Sequence, residues 1–125
     1  MEGYSVSIKE TSKQLSAKQR IAIKDTTNAM RLDEATANAE NVLIYPEMWA
    51  VLAIHNEKSD DVDYENYVLV DKDGTKYVTG SKSFWTSFMD IYREMENEDE
   101  EWGIKVYRME SKNYKGKQFI TCSIE

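Results

Sequence analysis

The central stretch of the chain, residues 64–95, reads YENYVLVDKDGTKYVTGSKSFWTSFMDIYREM and contains the strongest structural signals. Tyr64–Val70 is a run of β-branched and aromatic residues, which is typical of a β-strand. The Asp73-Gly74 pair that follows favours a tight hairpin turn, because such pairs supply the positive φ angles that these turns need. Lys76–Thr79 is therefore predicted to return as the second strand of a β-hairpin.

An amphipathic helix is predicted directly after this hairpin. Gly80 ends the returning strand, and Ser81 can cap a helix because its hydroxyl accepts a hydrogen bond from a backbone N–H group of the first turn. Large apolar residues then follow at the spacing of one helix face: Phe84, Phe88, Ile91 and Met95. We expect a helix from Ser83 to about Met95, ended by the acidic run that follows it.

The C-terminal part of the chain predicts a second hairpin. Its strands are Ile104–Arg108 and Gln118–Cys122, and the polar segment Ser111–Lys117 connects them. If Ile104 and Val106 face the core, the alternation of a strand places three side chains on the solvent side: Lys105, Tyr107 and Phe119. The alternatives are that the phenylalanine packs beneath the helix or that the register is reversed.

The remaining segments show weaker patterns. Arg20–Lys24 alternates between polar and apolar residues, so a strand is predicted there with its two isoleucines facing inward. Residues 25–41 are rich in Thr, Asn, Asp and Ala and predict a loop or a short helix. Pro46 interrupts the next apolar segment and leaves two interpretations: a strand over about Trp49–His55, or a buried helix that begins at the proline.

Length and charge limit the classes of protein to be considered. A chain of 125 residues suits one domain with a single core. The formal net charge of −7 argues against a generic nucleic-acid binder, which would be basic. The charges are segregated, however, since residues 33–65 hold nine acids and one lysine and residues 94–101 hold six acids and no base. Residues 9–24 and 105–117 each hold five bases and one acid. Such segregation is compatible with a basic stripe on one side, or with ordinary solvated surfaces.

Few chemical motifs are present. The single cysteine, Cys122, permits no internal disulfide and suits a reducing compartment. No Cys/His cluster accompanies the only histidine, His55, as a metal site or a catalytic triad would require. The five glycines are dispersed and form no phosphate-binding loop, and no signal peptide or membrane-length apolar run is recognisable. We therefore expect a cytoplasmic protein that is not an enzyme and has no cofactor or metal.

The order of the predicted elements resembles the small single-stranded DNA-binding proteins of tailed phages that infect Gram-positive bacteria. The resemblance is carried mainly by Tyr67–Phe88 and Ile104–Thr121, with weaker similarity in two earlier segments. It implies a mainly β, oligonucleotide-binding (OB) domain over residues 1–125, with a five-stranded barrel, one helix between strands 3 and 4, and a C-terminal hairpin. Residues 1–15 could then form a loosely attached N-terminal arm.

The resemblance also implies a function: sequence-independent binding of single-stranded DNA during phage DNA replication or recombination, in the host cytoplasm. Bases would stack on three aromatic rings: Tyr77, Tyr107 and Phe119. Phosphates would be contacted by seven basic side chains: Lys76, Lys82, Lys105, Arg108, Lys112, Lys115 and Lys117. A second copy of the chain and a replication protein of the phage or its host are further candidate partners.

Two other functions fit the same charge distribution. The acidic stretches at residues 33–65 and 94–101 could imitate the phosphates of DNA, so that the chain would be an acidic phage-encoded inhibitor of a host protein, of the anti-restriction or anti-CRISPR type. The third interpretation is an assembly protein whose helix stripe forms an oligomer interface. Titration with single-stranded DNA separates the first two functions, and sizing chromatography tests the third.

Overall fold

The computed structural model describes residues 3–111 and 116–125, which form a mainly β protein. Within these ranges, eight strands and three helices follow one another in this order: β1 (Tyr4–Thr11), α1 (Ala17–Lys24), β2 (Met30–Arg31), α2 (Leu32–Asn38), β3 (Val42–Ile44), β4 (Pro46–Asn56), β5 (Asp63–Asp71), β6 (Lys76–Thr79), α3 (Lys82–Met95), β7 (Ile104–Glu110) and β8 (Gln118–Ile124). The strands form a five-stranded sheet of order β1-β4-β5-β6-β2 and a three-stranded sheet of order β3-β7-β8.

The chain divides into two compact units, each made of two segments that are distant in sequence. The first unit contains the residues up to Met30 together with Glu47–Gly80. The second contains Arg31–Pro46 and Ser81–Glu125. The single OB-like domain implied by the resemblance stays a prediction.

The core of the first unit lies on one side of the five-stranded sheet. β1 runs antiparallel to β4, with Val6 opposite Ile54 and Ile8 opposite Leu52, so the residues of the expected N-terminal arm form a paired strand. These side chains pack with Val68 of β5 in one apolar cluster. Each Leu, Ile or Val side chain that is fully buried there contributes roughly 1.5–3 kcal/mol to the free energy of unfolding.

The predicted hairpin of β5 and β6 is confirmed. Its strands are in register with Val70 opposite Lys76, and the turn is closed by a hydrogen bond from the Gly74 N–H to the Asp71 carbonyl at 2.8 Å. Gly74 has a φ of 93°, whereas no described non-glycine residue has a positive φ. The turn is therefore a three-residue loop that ends on a left-handed glycine, and the aspartate before it stays in ordinary backbone space.

The strand predicted over Arg20–Lys24 is wrong, because these residues belong to helix α1. The helix is started by a capping box in which Ser16 Oγ accepts from the Gln19 N–H and Gln19 Oε1 accepts from the Ser16 N–H. Of the two isoleucines expected to face inward, Ile23 is buried, but Ile21 is 68% exposed. An alternation over only five residues does not separate a strand from a short helix.

Two alternatives that the sequence left open are decided in the structure. Residues 25–41, predicted as a loop or a short helix, include the short helix α2. The segment from Pro46 forms a strand, so the alternative of a buried helix is wrong. β4 begins at Pro46 itself, where the missing N–H costs little because the proline is the first residue of the strand.

The predicted amphipathic helix is confirmed in the second unit, where it begins one residue early. Ser81 Oγ accepts a hydrogen bond from the Phe84 N–H at 3.2 Å, as expected of an N-cap. Phe84 and Phe88 are completely buried. The three-stranded sheet contributes further buried residues to this unit, among them Ile104 and Val106.

The described residues do not show the predicted single helix. They also do not show one five-stranded barrel with its helix between strands 3 and 4. Three helices are present, and eight strands are shared between two sheets instead of closing one barrel. The physical reason is that strand pairing uses backbone groups common to nearly all residues. Nothing local to Val42–Ile44 shows that it pairs with β7, while β4 pairs with β1.

None of the helices in the described ranges has the length and apolar character needed to cross a bilayer. The longest, α3, has 14 residues, against the roughly 20 that a membrane span requires.

Candidate nucleic-acid interface

One side of the three-stranded sheet gathers residues from all three strands. In antiparallel pairs, residues directly opposite each other point to the same side, as Tyr107 of β7 and Thr121 of β8 do here. The strand registers place seven residues on this side, which we call the Tyr107 face: Leu43, Lys105, Tyr107, Met109, Phe119, Thr121 and Ser123. Lys105, Tyr107 and Phe119 thus share one side of the sheet, as the alternation of the sequence predicts.

The Tyr107 face is open to solvent over much of its area. Phe119 is 36% exposed, and Leu43 and Met109 are each 44% exposed. Lys105 is exposed as well, and Tyr107 is half-buried. The phenylalanine is therefore not sealed beneath the helix, and exposed rings on a sheet surface are the arrangement on which single-stranded bases stack.

The charge of this face is positive. Among its seven residues, all of which the structure describes, Lys105 is the only charged one. The Glu110 side chain lies on the opposite side of β7, where it is paired with Gln118. Glu125 comes two residues after Ser123 and therefore borders this side at the end of β8, where its carboxylate accepts a hydrogen bond from the Tyr45 hydroxyl at 2.6 Å. The net charge of −7 is therefore not concentrated on the seven residues of the Tyr107 face.

The connection between β7 and β8 carries the other lysines predicted for phosphate contact. Lys117 is exposed, and its carbonyl accepts from the Ser111 N–H at 2.8 Å, which closes the base of the connection. Lys112 and Lys115 lie outside the described residues.

Helix α3 borders the Tyr107 face along β8. Ser83 Oγ donates to the Ile120 carbonyl at 2.9 Å, and Ser87 Oγ lies 3.0 Å from Thr121 Oγ1. These contacts explain why Thr121 is buried although it belongs to this face. Cys122 points to the other side of β8, where burial raises the pKa of its thiol to about 12, so it is no nucleophile at neutral pH.

Arg108 has a different place from the one predicted. It lies on the side of β7 opposite the Tyr107 face, and its guanidinium reaches helix α2. Nε donates to Thr36 Oγ1 at 3.0 Å, and Nη2 donates to the Asp33 carbonyl at 2.5 Å. Because these hydrogen bonds occupy the guanidinium, Arg108 holds α2 against β7 and is left out of the interface.

Tyr77 and Lys76 belong to the first unit and are both engaged there. Tyr77 is only 8% exposed, and burial, followed by the nearby Asp71 and Asp73 carboxylates, raises the pKa of its phenol. The Lys76 ammonium donates to the carbonyls of Ala22 and Asp25 at 2.6 and 2.9 Å, at the end of α1. A buried ring offers no face for a base to stack on, so we leave both residues out of the interface.

Two further residues concern the interface: Lys82, which was predicted to contact phosphate, and Leu43, which was not predicted. Lys82 is exposed in the first turn of α3. Leu43 belongs to the Tyr107 face, although its sequence context did not predict this. The only signal was the short apolar run Val42–Ile44, which contains no alternation and so does not reveal which of its residues is exposed.

The first unit has a separate polar cleft of about 430 Å³ between β1, β4 and β5. Its ionic side chains are paired with one another: Lys9 Nζ donates to Glu65 Oε2 at 2.5 Å, and His55 Nδ1 lies 2.8 Å from Asp63 Oδ1. In the described part of the chain, no group of three or more His, Cys, Asp or Glu residues is arranged to hold a metal ion.

Comparison of the chain with protein-family models, with curated proteins and with solved structures gives no match.

Proposed function

We propose that the protein binds single-stranded nucleic acid, with DNA as its main ligand, on the Tyr107 face. The observation that carries this proposal is that an exposed phenylalanine ring, a half-buried tyrosine ring and a lysine share one side of a sheet. Exposed aromatic rings reduce solubility, and stacking of bases accounts for their presence beside a cation.

Binding on this face requires no catalytic group. Bases stack on Tyr107 and Phe119, and each stacked base contributes roughly 1–3 kcal/mol with little dependence on its identity. Leu43 and Met109 extend the apolar surface on which unstacked bases rest. Lys105 and the lysines of the β7–β8 connection contact phosphates, which makes the affinity fall with salt.

The biological setting belongs to the same proposal. The resemblance to the single-stranded DNA-binding proteins of tailed phages supports a role in phage DNA replication or recombination in the host cytoplasm. On the same ground we propose an OB-like arrangement of the strands. We also propose a replication protein as a partner and a function without catalysis.

Fluorescence anisotropy of a labelled oligo-dT strand tests the proposal directly. A label on the DNA is preferable to tryptophan emission, because Trp85 and Trp102 each pack against Phe88, an enclosed ring of α3. We expect the wild-type chain to bind the single strand at low salt and a duplex of equal length much more weakly, because paired bases are not available for stacking. A chain that binds no single strand at low salt contradicts the proposal and favours the acidic-inhibitor alternative.

A further inference from the structure

A second surface of the second unit has the properties of a docking site. Between the last turns of α3 and the end of β8 lies a groove of about 330 Å³. Its floor is formed by Ile91, Met95 and Ile124, of which Ile124 is 49% exposed. Asp90 and Glu94 are exposed along one edge of the groove. The groove therefore fits an apolar side chain that is flanked by cations.

The one basic residue of this helical turn, Arg93, is turned away from the apolar floor of the groove. It is two residues from Ile91, which separates the directions of their side chains by about 160° when each residue turns by roughly 100°. Arg93 is three residues from Asp90 and so borders the acidic edge on its outer side, whereas Asp90 and Glu94 are one helical turn apart on the side of the groove.

Helix α1 presents the complementary surface. Ile23 is its only buried residue, and Ile21, on the opposite side of the helix, is 68% exposed. Lys18 and Lys24 are each three residues from Ile21 and so lie on the same exposed side. The helix holds no acid within Ala17–Lys24; Asp25 follows it and accepts from the Thr27 N–H at 3.0 Å.

We propose that the α3 groove binds helix α1 of a second copy of this chain, with Ile21 seated on Ile91, Met95 and Ile124 and with Lys18 and Lys24 beside Asp90 and Glu94. Both halves of this contact are exposed, one is apolar with an acidic edge, and the other is apolar with basic flanks. The inference goes beyond the proposed nucleic-acid binding and does not depend on it.

The contact joins two different surfaces, so it can be used reciprocally in a closed two-fold dimer or head to tail in larger assemblies. An open chain leaves one groove and one helix unused at its ends, whereas a two-fold dimer or a ring uses all of them. Because the charges are at the edge of the contact, salt weakens the association.

Sedimentation velocity of the full chain, without nucleic acid and across a wide concentration range, tests the proposal. We expect the weight-average mass of the wild type to rise with concentration and to fall at high salt. Reversing the basic flanks (K18E/K24E), reversing the acidic edge (D90K/E94K), or replacing Ile21→Ser should each weaken association by at least about tenfold. The charge reversals K58E and E40K, at exposed sites outside both surfaces, are the matched controls and should associate like the wild type.

Mixing the two charge-reversed variants gives the sharpest result. Each variant alone should associate weakly, but the glutamates of K18E/K24E can meet the lysines of D90K/E94K, so the mixture should recover mass. Circular dichroism shows whether a charge reversal disturbs folding. If it does, the Ile21→Ser variant still tests the contact, because Ile21 is exposed to solvent and its replacement should leave the fold intact.

Three outcomes overturn the proposal. The wild type could stay monomeric at every concentration, which would leave the groove for a different basic protein. It could associate while Ile21→Ser and both charge reversals associate equally well, or the mixture of reversed variants could recover nothing. None of these results depends on the oligo-dT titration, so a failure here is distinguishable from a failure of nucleic-acid binding.

Discussion

Phe119 is the residue on which the proposed interface depends most, since its ring is accessible on a strand that also contributes buried residues to the core. Phe119→Ala should raise the Kd for oligo-dT by about tenfold, because stacking on one ring is worth roughly 1–3 kcal/mol. Tyr107→Ala should act in the same direction. Anisotropy titration measures the affinity, and thermal unfolding should show little change for Phe119→Ala.

The matched control for these rings is Tyr4→Ala, which removes an exposed aromatic from β1 of the first unit. Its affinity for oligo-dT should equal that of the wild type. If Phe119→Ala instead lowers the melting temperature by several degrees and leaves the affinity unchanged, the ring serves packing and the interface is misplaced.

Cys122 makes stability depend on alkaline pH. Burial raises its thiol pKa from 9.0 to about 12, so the folded state holds this proton more tightly than the unfolded state does. The resulting stability is fully present below about pH 9 and is lost as pH rises towards 12. Denaturant unfolding on both sides of pH 9 should show this loss.

The Cys122→Ala variant isolates the contribution of the thiol. Burial also raises the phenol pKa of Tyr67 and Tyr77, so part of the alkaline loss will remain in the variant. The decline with pH should nevertheless be shallower than in the wild type. Equal declines in both proteins would mean that the thiol ionises as readily in the folded chain as in the unfolded one.

The attachment of helix α2 to β7 can be tested at Arg108, whose side chain donates two hydrogen bonds to the helix. Arg108→Ala removes the hydrogen bonds to Thr36 and the Asp33 carbonyl and should cost about 1–3 kcal/mol in the free energy of unfolding. Lys105→Ala, three residues away on the Tyr107 face, should leave stability nearly unchanged but weaken binding of oligo-dT.

Denaturant unfolding and anisotropy together separate the two roles. The structure makes Arg108 a packing residue, whereas the proposed function makes Lys105 a phosphate contact. The assignment fails if Arg108→Ala keeps full stability while it loses affinity, since the guanidinium would then be available to the ligand.

The N-cap of α3 provides a second test at the scale of one element. Ser81→Ala should destabilise the chain by about 1 kcal/mol, because it leaves the Phe84 N–H without its acceptor. Ser81→Asp retains an acceptor oxygen and should keep most of the stability. Equal losses for both variants in denaturant unfolding would show that the cap hydrogen bond contributes little.

The helices and strands show which local sequence patterns predict secondary structure correctly and which do not. α3 and the β5–β6 hairpin were predictable, because fourteen residues of helical spacing and an Asp-Gly turn leave few alternatives. α1 was mistaken for a strand, although the Ser16 and Gln19 capping box was readable as a helix start. Short alternating runs need such boundary signals before they identify an element.

For the whole molecule, the net charge of −7 and the proposed binding of an anion are compatible only if the cations are clustered. The proposal requires this of four lysines that are close in sequence: Lys105, Lys112, Lys115 and Lys117. If all four contact phosphates, the logarithm of the binding constant should fall with the logarithm of the salt concentration with a slope of about −3.

Anisotropy titrations at several salt concentrations measure this slope, and Lys117→Ala should reduce its magnitude by about 0.7. Lys58→Ala, which removes an exposed lysine of the first unit, should leave the slope unchanged. A slope near zero for the wild type would mean that phosphates are not contacted and that the proposed interface binds something uncharged.

The candidate site was only partly predictable for the same reason that limited the fold. The alternation along β7 and β8 placed Lys105, Tyr107 and Phe119 correctly, since the two sides of a strand follow from the chain itself. Tyr77 and Arg108 were predicted to belong to the same interface. Tyr77 is buried in the first unit, however, and Arg108 is hydrogen-bonded to α2. Their surroundings are made by residues far away in sequence.

The sequence by itself determined the local features of this protein: the tight turn at Gly74, the cap and apolar stripe of α3, and the two-sided character of β7 and β8. These depend on backbone geometry and on neighbours within a few residues. Only the tertiary structure decided that Val42–Ile44 joins β7, that Arg108 is occupied and that Leu43 is exposed. Strand pairing uses backbone groups that nearly all residues share, and burial is set by whichever distant segments pack together.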